Sequence, residues 1–158
     1  MSINPARILV VEDENIVAKD IQSRLIKAGY PNVSIARNGE EAICRVIEAP
    51  PDLLLMDIMF SSGVLDGVET AIAFGGKIDV PVIFLTAYAD SSSVSRTIAT
   101  KPFAYVLKPF RIRGLQVLIE TALSNRALRK KRKEDYRLRS SISEILKDLV
   151  DMKTYGTY

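Results

Sequence analysis

Pro51-Asp52-Leu53-Leu54-Leu55-Met56-Asp57 is the stretch whose reading decides the fold. Four apolar residues in succession, opened by Pro50, Pro51 and Asp52, are too short for a free-standing helix and read as a strand buried on both faces. Such strands belong to open parallel sheets, whose ligands bind just past the carboxyl ends of the strands. Asp57 stands at that place. From this stretch alone it is either a cap for the next turn or part of a site.

Working outward, Arg7-Ile8-Leu9-Val10-Val11 is a β-branched apolar run ending in Glu12-Asp13-Glu14. From Asn15 the spacing turns helical, with Ile16, Val17, Ile21, Leu25 and Ile26 three and four residues apart and a stop at Gly29. Val33-Ser34-Ile35-Ala36 predicts a second strand, and Asn38-Gly39-Glu40-Glu41 opens a helix that Pro50-Pro51 closes. Past Asp57, a loop of small residues (60–67) leads into a helix over 68–74. Residues 80–85 predict a fourth strand, 90–99 a polar helix and 103–107 a fifth strand. A last helix begins near Arg111 and carries Ile112, Leu115, Leu118, Ile119 and Ala122 on one face. Five strands alternating with five helices predict an α/β fold, a doubly wound five-stranded parallel sheet of order 2-1-3-4-5, with a C-terminal helical extension.

That topology gathers Glu12, Asp13, Asp57, Thr86 and Lys108 at one sheet edge. Three carboxylates in one small pocket repel, at about 4 kcal/mol per pair for a 4 Å separation and an effective dielectric near 20. Either protons are taken up or a cation sits among them. An all-oxygen set suits Mg²⁺. A metal, a lysine and a threonine hydroxyl around one aspartate are what phosphoryl transfer to a carboxylate requires. Two plainer readings stand beside this one: Glu12-Asp13 as caps for the first helix, and Lys108 as a solvated loop residue.

Composition narrows the classes. With 158 residues and 47% hydrophobic content, one substantial core and an appendage are expected, and no apolar run approaches the roughly 20 residues of a membrane span. No signal-peptide pattern opens the chain, so a soluble, cytoplasmic protein is expected. There is no histidine, which removes Ser-His-Asp and Cys-His catalysis and His-containing zinc sites. The single cysteine, Cys44, has no internal disulfide partner and is expected to face the core.

The spacing of Glu12-Asp13, Asp57, Thr86-Ala87 and Lys108-Pro109 resembles that of the receiver domains of two-component response regulators, over roughly residues 6–125. The resemblance implies a flavodoxin-like receiver in which Asp57 accepts a phosphoryl group from a histidine kinase or phosphotransfer protein. It implies that Glu12, Asp13, Asp57 and the backbone carbonyl of Met59 hold Mg²⁺, with Mn²⁺ as the other fitting ion. Thr86, the Ala87 backbone and Lys108 would contact the phosphoryl oxygens, Lys108-Pro109 would be a cis peptide, and Thr86 with Tyr105 would form the switch pair. The loop departs from the family: Phe60-Ser61-Ser62-Gly63-Val64-Leu65-Asp66-Gly67 is longer and lacks the usual proline. It is expected to be mobile. Met59 and Tyr88 flank the acceptor and the threonine, where bulk would slow water.

Past Leu123 the pattern changes. Residues 126–139 hold eight Lys/Arg against Glu134 and Asp135, and Leu138, Ile142, Ile145, Leu149 and Met152 follow at heptad-like spacing. The division expected is a receiver over 1–125 and a basic connector with an amphipathic tail over 126–158. The tail packs back, meets a second chain with the last receiver helix in a homodimer, or begins a further domain. Nucleic acid is the weaker partner, since no helix-turn-helix fits the remaining length. The reading is therefore a signalling phosphoacceptor rather than an enzyme, with output by protein–protein interaction or phosphorelay. The alternatives are a DNA-binding regulator using the basic segment and a constitutive pseudo-receiver. An aspartyl-phosphate phosphatase would need an acid where Met59 stands, and a flavin carrier would need a phosphate-cradling loop where Glu12-Asp13-Glu14 stands.

Overall fold

The computed structural model describes residues 2–60, 63–87 and 91–156. Its elements run β1 (Arg7–Val11), α1 (Asn15–Lys27), β2 (Asn32–Ala36), α2 (Gly39–Glu48), β3 (Leu53–Asp57), α3 (Gly67–Phe74), β4 (Val82–Thr86), α4 (Ser91–Thr97), a 3₁₀ turn (Ile98–Thr100), β5 (Ala104–Leu107) and α5 (Ile112–Tyr155). The strands form one parallel sheet in the order β2-β1-β3-β4-β5. No helix among the described residues is long and apolar enough to cross a membrane.

Side-chain alternation along the strands divides the core into two layers. Ile8, Val10, Leu53, Leu55, Ile83 and Leu85 face Ile21 and Leu25 of α1 and Leu115, Ile119 and Ala122 of α5. Leu9, Val11, Leu54, Met56 and Phe84 face Ala42 and Val46 of α2 and Val68, Ala71 and Phe74 of α3. All five residues of β3 are buried, as a strand covered by helices on both faces must be. Its start is pinned to β1: Asp52 N–H donates to the Arg7 carbonyl at 2.7 Å, and Arg7 N–H donates to Asp52 Oδ2 at 2.7 Å.

Two core expectations are corrected. Cys44 is exposed, because Ala42 and Val46 are the residues α2 turns toward the sheet and position 44 falls on the far side. Ile16 and Ile26 of the helical stripe are also exposed, α1 burying Ala18, Ile21 and Leu25. The fourth strand starts at Val82 rather than residue 80 and takes in Thr86 as its last residue.

The chain divides into two compact units, Met1–Leu123 and Ser124–Tyr158. The sheet, α1 to α4 and the opening turns of α5 lie in the first. The second is the rest of α5, with its Leu138, Ile142, Ile145, Leu149 and Met152 side chains exposed.

Leu55, fully buried and contacting helices through β3, is the position from which the first unit's stability is most directly read. Leu55→Ala is expected to lower the unfolding free energy by about 2–5 kcal/mol in urea denaturation, through lost transfer energy and the cavity left behind. Cys44→Ser should change it by no more than about 0.5 kcal/mol.

Candidate phosphoacceptor and metal site

Strand register assembles the site. In parallel pairing Val11 lies beside Met56, Asp57 beside Leu85 and Thr86 beside Leu107. Glu12, Asp57, Thr86 and Lys108 therefore emerge together at the carboxyl edge of the sheet. Glu12 is 2% exposed, Asp57 8% and Thr86 4%, so the strand ends hold them within the fold rather than in solvent. Glu12, Asp13 and Asp57 each offer a carboxylate oxygen within 4.8 Å of the others. Lys108 Nζ donates to Glu12 Oε2 at 3.0 Å and to Asp57 Oδ2 at 3.3 Å. The Met59 N–H donates to Asp57 Oδ1 at 3.2 Å, and the Glu14 N–H to Glu12 Oε1 at 3.3 Å.

The charges are not balanced. Burial first and then the neighbouring Asp57 carboxylate push the Glu12 carboxyl up to about 7, against the opposing pull of Lys108. Burial by itself would lower the Lys108 pKa, but the Asp57 and Glu12 carboxylates outweigh it and leave it raised. One ammonium thus faces more negative charge than it neutralises. Three carboxylate donors at this separation, with two negative charges left after Lys108 is counted, fit a small divalent cation. Glu12, Asp13 and Asp57 would hold it.

The loop after β3 is bound at both ends. At Gly67 an added Cβ would lie 2.0 Å from the Asp57 carbonyl oxygen and 3.0 Å from Ile58 Cα, so only glycine lets α3 start against the end of β3. Asp66 caps α3, accepting from the Glu69 N–H at 2.8 Å, and its other oxygen receives Arg96 of α4 at 2.8 Å. Mobility was expected across residues 60–67. Within that span Val64 and Leu65 hydrogen-bond to Glu40, and Ser61 and Ser62 lie outside the described residues. Glu40 Oε1 accepts from Val64 N–H at 2.8 Å and Leu65 N–H at 3.1 Å. These donors, with the Glu40 backbone N–H first among the causes, hold its carboxyl below the usual range. Glu40 was invisible as a loop anchor in the sequence, where it read only as an acid in the first turn of α2.

The other singled-out residues are placed as follows. The Lys108-Pro109 peptide is cis. Met59 is 65% exposed two residues past Asp57. Tyr105 stacks on Phe84 with ring centroids 6.0 Å apart, and its hydroxyl shares a hydrogen bond with Thr97 Oγ1 of α4. Tyr88 falls outside the described residues. A separate surface cavity of about 330 Å³ at the strands' amino edge, lined by Arg7, Asn32, Arg45 and Glu48, lies at the opposite end of the sheet from the acids.

A family model for the response regulator receiver domain matches residues 8–120. The transcriptional regulatory protein PdtaR of Mycobacterium tuberculosis is 34% identical over 120 residues, covering 76% of this chain and 58% of that protein. The chain thus spans little more than half of that relative. The signal receiver domain of a modulated diguanylate cyclase from Desulfovibrio desulfuricans G20 superposes with a TM-score of 0.74 at 35% identity, over 80% of this chain and 99% of its own. A fusion carrying a yeast Spc42 trimeric coiled coil superposes with a TM-score of 0.78 at 34% identity, over 98% of each chain.

Removing the Glu40 carboxylate strips two backbone N–H groups of a charged acceptor, whose hydrogen bonds are stronger than those to a neutral one. Glu40→Ala is expected to raise the amide exchange rates of Val64 and Leu65 by about tenfold or more, leaving those of β3 unchanged. Unchanged rates at Val64 and Leu65 would show that the loop is held by something else.

Proposed function

The chain belongs to the response regulator receiver domain family, and from that footing we propose that Asp57 is its phosphoacceptor. The observation that carries the reading is Asp57 at the end of a fully buried strand, with Lys108 Nζ 3.3 Å away and two further acids beside it. The chain has no histidine, so the phosphohistidine donor lies outside these 158 residues, and a histidine kinase or a phosphotransfer protein supplies that chemistry. An Asp57 carboxylate oxygen attacks the phosphorus, the P–N bond breaks, and the bond's electron pair stays on the departing imidazole nitrogen. The product is an acyl phosphate, later hydrolysed to restore the carboxylate. The chain acts as a phosphoacceptor rather than as an enzyme with a substrate of its own.

Mg²⁺ is the ion best suited to Glu12, Asp13, Asp57 and the Met59 carbonyl, with Mn²⁺ able to use the same donors; when bound it offsets negative charge on the phosphoryl oxygens. Lys108, the Thr86 hydroxyl and the Ala87 N–H hold those oxygens from the protein side. Thr86 and Tyr105 are the switch pair: a threonine drawn toward the phosphoryl group vacates space beside β5, and Tyr105 exchanges its Thr97 contact for that space. The phosphorylatable part is residues 1–125, acting in the cytoplasm. Residues 126–158 give the output by homotypic association, a reading supported by the exposed apolar stripe of α5 and by the likeness to a coiled-coil fusion.

The roles separate in a rate measurement with a small acyl-phosphate donor and Mg²⁺. Thr86→Ala and Lys108→Ala, which keep the nucleophile, are expected to slow phosphorylation by about 10²-fold. Asp13→Asn should abolish the Mg²⁺-dependent rise in melting temperature that the unaltered chain shows. Wild-type rates in both Thr86→Ala and Lys108→Ala would remove these residues from the phosphoryl site.

A further inference from the structure

Past residue 123, α5 exposes Leu138, Ile142, Ile145, Leu149 and Met152, with 47% to 70% of each reaching solvent. Their spacing of four, three, four and three places Leu138, Ile145 and Met152 at d and Ile142 and Leu149 at a of a heptad repeat. That phase fixes every other position on the helix. Glu134, Ser141 and Asp148 fall at g, and Arg139, Leu146 and Lys153 fall at e.

In two parallel helices aligned in register, each g residue faces the e residue five positions further along its partner. Glu134 then meets Arg139 and Asp148 meets Lys153, each pair occurring twice. Antiparallel helices set e against e and g against g. The e positions hold no acid and the g positions hold no base, so no antiparallel register produces an acid–base pair at the flanks. Among the described residues, no salt bridge within the chain uses any of these four side chains. Leu146, at e, widens the apolar seam on one side. Upstream the seam is interrupted by Asp135 at a and Lys131 at d, so apolar pairing begins at Leu138.

We propose that residues 134–155 pair with the same residues of a second copy of this chain as a parallel, in-register coiled coil, ordered by Glu134–Arg139 and Asp148–Lys153 contacts between copies. The inference rests on the reading that the tail associates with itself, and adds direction and register to it. Its consequence is geometric: a parallel pairing gives both copies the same direction along the seam.

The test uses the full chain with Cys44→Ser as background, since Cys44 is exposed and would otherwise cross-link on its own. Light scattering first gives the mass, expected to be at least that of two chains. Leu138→Cys and Met152→Cys, introduced singly, are then oxidised in a mild thiol–disulfide buffer. Each is expected to form a disulfide with its own copy, because both ends of the seam are in register. Reversing the acids (Glu134→Lys with Asp148→Lys) should weaken association by about tenfold or more, and adding Arg139→Glu with Lys153→Glu should restore it. A mass of two or more chains with neither disulfide overturns parallel register while leaving self-association intact. A monomeric mass overturns both. Charge reversal without effect, or without rescue, overturns the assigned ion pairs. None of these readouts uses Asp57 chemistry, so repeating them in Asp57→Asn keeps a failure of phosphorylation distinct from a failure of the coiled coil.

Discussion

Two buried carboxylates share one ammonium at the carboxyl edge of the sheet, and the rest of the site is arranged around that imbalance. Lys108 reaches both Glu12 and Asp57, yet Glu12 remains pushed up to about 7 by burial and by its neighbour. A third acid, Asp13, stands within reach of the same point. Such a cluster is stable only with a further positive charge or a retained proton. A cation among the oxygens serves folding and chemistry together, since charge that steadies three carboxylates also steadies a phosphoryl group built on one of them. Lys108 cannot do this alone because it approaches from one side and is already committed to two partners.

Rigid strands make the imbalance useful. The side chains gathered here come from positions 12, 57, 86 and 108, and only the parallel register brings them to one edge. β3 carries the largest share, buried on both faces and flanked by β1 and β4. Gly67 then lets α3 begin against the backbone of Asp57 itself, where any side chain would collide. Asp57 is therefore held by backbone packing on both sides, and a substitution at Gly67 acts on the site through geometry rather than charge.

Much of this was readable from residue order. The apolar run at 53–56, the β-branched run at 8–11 and the glycine and proline stops gave the strand and helix sequence, and alternation gave the sheet order. The acids, Thr86 and Lys108 followed because strand ends in a doubly wound sheet are adjacent by construction. What escaped depends on side-chain direction or on contacts between distant segments. Cys44 and Ile16 sat in apolar patterns whose phase was off by a fraction of a turn. The hold of Glu40 on Val64 and Leu65 joins residues 24 and 25 positions apart, and no local pattern encodes it. The basic run at 126–139, a solvated helix face or a connector by its sequence, lies within α5, where high-propensity lysines and arginines continue a helix.

Everything proposed for the site depends on Asp57 being the one residue of this chain that takes up a phosphoryl group. Intact-mass measurement after incubation with Mg²⁺ and a small acyl-phosphate donor, followed by peptide mapping, tests it most directly. One phosphoryl adduct is expected, located on Asp57, dependent on Mg²⁺ and absent from Asp57→Asn. An adduct that persists in Asp57→Asn, or no adduct under any donor, would contradict it.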